Sequence, residues 1–253
     1  MATPVNNSVV KSFAILDIFD DHRDEITTLD VVTRLGFNTV TAHRFLKTLV
    51  HVGALISPHK GVYRLGFKLV DYGVQANSSK QLAFLLQPFL NALAAQTNEG
   101  AMATVFDGSA VTCIATAYSD QAFVFNARVG ARHEAYATAN GKIWLANIGP
   151  DRLESYLVSN ELLPLSENTL TDREALLNEL EKVRNAGYAT NHSERETGLH
   201  AIAVPVFSRT GEMVAGVSVF APAQRMDPEN EKNILEILMG IVKRVQSALY
   251  GAS

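Results

Sequence analysis

The sequence predicts an α+β chain of two units, a small helical one ending in a β-hairpin and a larger one with helices around a mainly antiparallel sheet. Three observations carry this. Apolar residues recur at three- and four-residue spacing in short segments before Gly53; a turn signal separates two β-type runs just after it; and beyond Leu82 helical segments alternate with strand pairs joined by short turns, which speaks for local antiparallel pairing.

In order along the chain, Ser8 to Phe19 places Val9, Val10, Phe13, Ile15, Leu16 and Phe19 on a helical face. Thr28 is expected to cap a second helix through Leu29, Val32 and Leu35, stopped at Gly36. The next helix, Asn38 to Val52, should bury Ala42, Phe45, Leu46, Leu49 and Val52 and turn Val40, His43, Arg44, Lys47 and His51 outward. A hairpin follows, Leu55–Ser57 and Val62–Leu65 around Pro58–Gly61. A helix from Gly66 to about Gln75 leads to the polar joint Ala76–Ser79, the expected boundary.

Beyond the joint, Leu82–Gln96 reads as a helix, Ala101–Phe106 and Val111–Ala117 as a hairpin across Asp107-Gly108-Ser109, and Ala122–Arg128 as a third strand. Gly141–Ala146 is expected to be helical. Thr171-Asp172-Arg173-Glu174 has the form of a capping box opening a helix to Ala186. Leu199–Phe207 and Met213–Phe220 form another antiparallel pair, and Asp227 with Pro228 opens the closing helix.

Composition fixes the class. With 253 residues, 47% hydrophobic and 19% charged, the chain can bury real cores and is neither disordered nor a disulfide scaffold. Its one cysteine, Cys113, cannot form an intrachain disulfide, so a cytoplasmic address is expected. The N-terminus lacks signal-peptide order, and the apolar run Leu82–Ala95 is short and broken by Gln87, Pro88 and Asn91, so no membrane partner is expected.

The net charge of −4 hides a local field. Val31 to Val70 holds six basic residues and no acidic one, together with His43, His51 and His59. Two short helices joined at a glycine, the second with its basic residues opposite its apolar stripe, have the form of a helix-turn-helix, and the hairpin that of a wing. A helix in the major groove needs side chains that reach base edges. Thr39, Val40, Thr41, His43, Arg44 and Lys47 form the expected reading set, with Lys60 and Arg64 on wing phosphates. His43 and His51 fit neutral packing equally well.

These residues carry a resemblance. The run from Arg34-Leu35-Gly36-Phe37 through His43-Arg44-Phe45-Leu46-Lys47 to Leu49 resembles the helix-turn-helix of IclR-type transcriptional regulators. So do Ala139-Asn140-Gly141-Lys142, Gly187-Tyr188-Ala189, Glu196 through Phe207 and Val214 through Val219, in the family's order and over nearly the whole chain. The resemblance implies a winged helix-turn-helix DNA-binding domain at 1–65, a linker helix at 66–79 and a GAF-like effector-binding domain at 80–253. It also implies a homodimer or homotetramer on double-stranded operator DNA. The expected function is a ligand-responsive regulator, a repressor of a catabolic operon released by a small organic metabolite. A sensor or GAF-fold enzyme without a DNA-binding role is the alternative.

Carried onto this chain, the effector pocket falls on Ala139, Asn140, Asn191, Leu199, Ala201, Ser218 and Phe220. Asn191, Ala201 and Phe220 depart from the acid, cysteine and serine of the glyoxylate- and pyruvate-responsive type, which points to a different, less polar small acid or related metabolite. Val40 and His43 depart from the usual Ser and Tyr of the recognition helix. From the residues themselves, Gly141 opening a helix behind Thr138-Ala139-Asn140 offers N–H groups to an anion or simply starts a helix. Ser218 is a pocket hydroxyl or a side chain satisfied by backbone. Tyr136, Thr138 and Arg128 are further candidate lining groups.

No cofactor and no metal are expected. His192 and His200 stand eight residues apart, with Glu194 and Glu196 between them, and lack the HExxH register. No catalytic residue is expected either: Cys113 lies in an apolar strand as an inert thiol, and no Gly-x-Ser-x-Gly elbow occurs.

Overall fold

A computed structural model describes residues 5–20, 23–76, 79–119 and 127–251. The chain divides into two compact units, Met1–Ser78 and Ser79–Ser253.

The first unit contains α1 (Asn7–Leu16), β1 (Ile26–Thr27), α2 (Thr28–Leu35), α3 (Thr39–His51), β2 (Leu55–His59), β3 (Val62–Leu65) and α4 (Phe67–Ala76). Ile15, Ile18, Ile26, Val31, Ala42, Leu46, Leu49, Leu55 and Tyr63 close one small core. The cap of α2 is Thr27, not Thr28. Thr27 is extended, its hydroxyl takes the Asp30 N–H at 3.3 Å, and the Asp30 carboxylate takes the Thr27 N–H at 2.7 Å. The Thr27 hydroxyl also donates to the Asp30 carboxylate at 2.7 Å, and this bond, followed by that from the Thr27 N–H, holds the carboxyl below the usual carboxylate range. Gly36 ends α2 with a φ of 68°, a conformation that costs glycine little.

Within α3, Phe45 is only half-buried, and Val52 is exposed because it caps the helix rather than belonging to it. The wing is tighter than its sequence suggests. Pro58 and His59 belong to β2, an edge strand of the β1-β3-β2 sheet, where a residue without an N–H is tolerated and the register slips between Ile56 and His59. Strand β1 has only two residues, too few to show alternation.

The second unit contains α5 (Ser79–Thr97), β4 (Gly100–Phe106), β5 (Ala110–Ala117), β6 (Arg132–Glu134), α6 (Ala139–Asn147), α7 (Pro150–Ser159), α8 (Arg173–Ala186), β7 (Ala189–His192), β8 (Leu199–Phe207), β9 (Met213–Pro222) and α9 (Pro228–Tyr250). The six strands run in the order β6-β5-β4-β9-β8-β7, each pair antiparallel. Strand periodicity divides the residues between two faces. Ala101, Ala103, Ile202, Val204, Val217 and Val219 pack under α5 and α9, through Leu86, Leu90, Ile234, Leu238 and Ile241 among others. Ala203 joins the opposite core, built by Ile143 and Leu145 of α6 and Leu176, Leu180 and Val183 of α8.

Several boundaries differ from expectation. Helix α6 begins at Ala139, capped by the Thr138 hydroxyl, which accepts the Gly141 N–H at 3.1 Å. Asp172 rather than Thr171 caps α8, taking the Ala175 N–H at 2.7 Å. Strands β6 and β7 and helix α7 have no counterpart in the expected elements; the two strands are too short for a period to register. Most of the expected strand Ala122–Arg128 lies outside the described residues, and Ala127 and Arg128 are not in a strand.

Candidate functional site

Helix α3 exposes a basic stripe because its other face is spent on the core. Asn38 accepts the Thr41 N–H at 2.8 Å and sets the helix start; Ala42, Leu46 and Leu49 then point inward. Thr39, Val40, His43, Arg44 and Lys47 are exposed, Val40 to 81%, and Thr41 is half-buried. Val40, His43, Arg44, Lys47, Thr48 and His51 line one shallow groove. His43 and His51 are both exposed, which removes the packing alternative.

On the wing, Lys60 is exposed at the hairpin tip. Arg64 is not a free cation: its guanidinium lies 2.8 Å from Glu25 Oε1 and 3.3 Å from Asp24 Oδ2. These acids precede β1, and the pairing of β1 with β3 brings them to a block that has no acid of its own in sequence.

The second unit encloses a cavity of about 140 Å³ between the sheet and the start of α6. All seven residues singled out above, Ala139, Asn140, Asn191, Leu199, Ala201, Ser218 and Phe220, line it, with Met102, Thr104, Val111, Ala127, His133, Thr138, Arg195 and Glu196. Register explains the convergence. Met102 faces Ser218, Ala201 faces both Phe220 and Asn191, and Gly100 faces Phe220. A Cβ on Gly100 would stand 2.4 Å from the Phe220 ring, so the missing side chain there makes room for that phenyl.

The polar groups differ in what they have left to offer. Asn191 is committed: its Nδ2 donates to the Ala137 carbonyl at 2.6 Å and its Oδ1 accepts the Glu194 N–H at 3.3 Å. Asn140 Nδ2 donates to Ser218 Oγ at 2.7 Å. Asn140 Oδ1, Thr104 Oγ1 and His133 Nδ1 are buried without a hydrogen-bond partner. Such groups carry a desolvation penalty that a bound polar molecule would relieve. Burial, and then the charge of Arg195, lowers the His133 pKa, so the imidazole is neutral at pH 7. Arg195 donates to Glu134 at 2.7 Å. Despite burial, hydrogen bonds from the backbone and from Arg195 hold the Glu134 carboxyl below its ordinary range.

Two expected lining groups lie elsewhere. Tyr136 is buried away from this cavity with its hydroxyl donating to the Leu163 carbonyl at 2.9 Å, and Arg128 is exposed. Met102 and Thr104 look like ordinary strand residues until their face is known, and His133 lies in β6, a strand too short to show a period. Behind the cavity, Lys142 of α6 is buried against Glu194 at 2.6 Å, with Glu179 at 3.4 Å. Cys113 is buried, and burial pushes its thiol up to about 11.

Comparison with known proteins matches the model of the bacterial transcriptional regulator IclR C-terminal domain to residues 74–247 and that of the IclR helix-turn-helix domain to residues 8–56. The chain is 30% identical over 236 residues to the HTH-type transcriptional regulator XynR of Escherichia coli, covering 93% of this chain and 94% of that protein. It is 28% identical over 246 residues to the Pca regulon regulatory protein of Pseudomonas putida, covering 96% and 84%. The crystal structure of an IclR homolog complexed with 4-hydroxybenzoate, from Microbacterium hydrocarbonoxydans, matches at a TM-score of 0.62 and 26% identity, covering 96% of this chain and 98% of that one.

Proposed function

The chain belongs to the IclR family of ligand-responsive, DNA-binding transcriptional regulators, and from that premise we propose that it represses a catabolic operon and is released by a small organic acid held in the sheet cavity. The observation that carries the ligand reading is the group of unpartnered polar atoms, Thr104 Oγ1, Asn140 Oδ1 and His133 Nδ1, on a cavity whose apolar lining includes Met102, Val111, Leu199, Ala201 and Phe220. Its volume of about 140 Å³ suits one six-membered ring, since a cavity near 150 Å³ accommodates benzene. The N-terminus of α6 supplies positive potential for a carboxylate. A monocyclic aromatic acid fits both, and the homolog bound to 4-hydroxybenzoate supports that class.

In this reading residues 1–65 read operator DNA, 66–79 link, and 80–253 bind effector. Arg44 and Lys47 reach bases or phosphates with Thr39, Val40, Thr41 and His43 beside them, while Lys60 holds the backbone from the wing. Exposed Val9, Val10 and Phe13 on α1 support a homo-oligomer, which a near-palindromic operator requires. No described helix is long and apolar enough to cross a membrane, which fits a cytoplasmic regulator. Its relatives are named as regulators, and we read this chain likewise as a non-enzyme. Effector control needs only a difference in affinity between DNA-competent and DNA-incompetent states, about 1–3 kcal/mol.

The test is a gel-shift titration on the fragment upstream of the chain's own gene, at two salt concentrations, with a panel of hydroxybenzoates and aliphatic acids of similar size. A salt-sensitive shift released by one ring acid is expected. A shift that no acid alters would overturn the effector reading, and no shift at low salt would overturn the DNA-binding one.

A further inference from the structure

The sheet face opposite the cavity carries a second cluster. Asn191, Leu199 and Ala201 line the cavity, so the alternation of strand residues sends His192 and His200 to the other side, toward α9. Eight residues apart in sequence, they are direct cross-strand partners once 193–198 has turned the chain back. Their rings meet edge to face with centroids 4.7 Å apart. Glu231, in the first turn of α9, reaches both: its Oε1 is 2.8 Å from His192 Nε2 and 3.8 Å from His200 Nδ1.

A plain histidine–carboxylate contact accounts for part of this arrangement. It leaves His200 Nδ1 unexplained, because that nitrogen is buried, has no hydrogen-bond partner and lies beside the same carboxylate oxygen. The Met226 backbone hydrogen-bonds the His200 ring, which leaves one ring nitrogen for another partner. His192 Nε2, His200 Nδ1 and a Glu231 oxygen all lie within 4.8 Å of one another. Tetrahedral zinc with bonds of about 2.0–2.1 Å holds its ligand atoms roughly 3.3 Å apart, which the observed 2.8 and 3.8 Å bracket.

We propose that His192, His200 and Glu231 form a Zn²⁺ site with three protein ligands and one position open to solvent, on the sheet face opposite the effector cavity. Two imidazoles and one carboxylate suit this borderline-soft ion, and the exposed side of His192 leaves room for a water as fourth ligand. The ion ties the β7–β8 pair to the start of α9. Because the alternate residues of those strands line the cavity, zinc braces one cavity wall without entering it.

Zinc alone is the probe. Full-length protein stripped with a chelator is titrated with Zn²⁺ against a chromophoric competitor, and its melting temperature is recorded with and without the metal. One equivalent per chain is expected, with a rise in melting temperature. Glu231→Gln, which keeps shape and removes charge, and His200→Ala should each weaken that equivalent at least tenfold and abolish the rise. His51→Ala, on the exposed face of α3, should change neither. Absence of a stoichiometric equivalent in the wild-type chain, or an equivalent that survives Glu231→Gln and His200→Ala, would overturn the site.

Discussion

Lys142 Nζ lies 2.6 Å from Glu194 Oε1, with the lysine side chain 1% exposed and the glutamate side chain 9% exposed. This buried pair fastens α6, which carries Asn140, to the loop after β7, which carries Asn191. Breaking one half of such a pair strands the other charge in a poorly solvated place. Lys142→Met is therefore expected to cost about 3–5 kcal/mol, whereas Lys142→Met with Glu194→Met should recover most of it. Urea denaturation of both variants checks this, and equal losses would refute the account.

Thr104 offers a sharper test of the effector cavity. Its hydroxyl is buried and unpartnered, so Thr104→Val removes an unsatisfied group without changing volume much. Stability in the absence of ligand should hold or rise slightly, while affinity for the effector falls by about tenfold, the worth of one hydrogen bond of about 1–1.5 kcal/mol. Calorimetry with the acid found by gel shift measures the second quantity. An unchanged affinity would place the ligand away from Thr104.

On the DNA side, Arg44→Ala and Lys47→Ala should each weaken operator binding, and the salt slope should fall by about one for every phosphate left without its cation. Arg64→Ala should do less, because Asp24 and Glu25 already hold that guanidinium. Salt titrations of the three variants separate them; a larger loss from Arg64→Ala would show that its ion pairs give way to phosphate.

His133 gives the chain an acid-sensitive step. Its folded pKa is below the ordinary value of about 6.5, so the unfolded chain binds more protons between the two. The stability this neutral imidazole contributes is complete above about pH 6.5 and is lost as pH falls through the folded pKa. Glu134 and Asp107, with depressed carboxyls, add losses only at lower pH, through their own folded pKa values. His133→Asn should shrink the upper step in melting curves between about pH 5.5 and 7.5, one unit either side of an ordinary imidazole, leaving the part that belongs to His200, whose pKa burial also lowers. A step of undiminished size in the variant would take His133 out of it.

Cys113, with a thiol pushed up to about 11 by burial, should resist alkylation in the folded chain at pH 8 (roughly half a unit below an ordinary thiol pKa) and react once unfolded. Mass spectrometry of iodoacetamide-treated protein with and without urea reads this directly. Rapid labelling of the native chain would contradict its burial.

Much of the first unit follows from local sequence. Ala42, Leu46 and Leu49 at helical spacing fix which side of α3 is buried, so the basic stripe of His43, Arg44 and Lys47 follows without knowledge of the rest. The stop at Gly36 is local chemistry and equally legible, whereas both N-caps fall one residue from the reading, Thr27 for Thr28 and Asn38 before rather than within its helix. Family likeness carried seven positions to the cavity, since Asn140, Ser218 and their companions sit in recognisable runs. Features that depend on distant partners came only with the assembled sheets. Strand pairing brought Glu25 to Arg64, put Thr104 and His133 on the cavity face, and set His192 opposite His200. A period of two says that successive residues oppose one another, but which face meets which neighbour is settled only when strands far apart in sequence take their register.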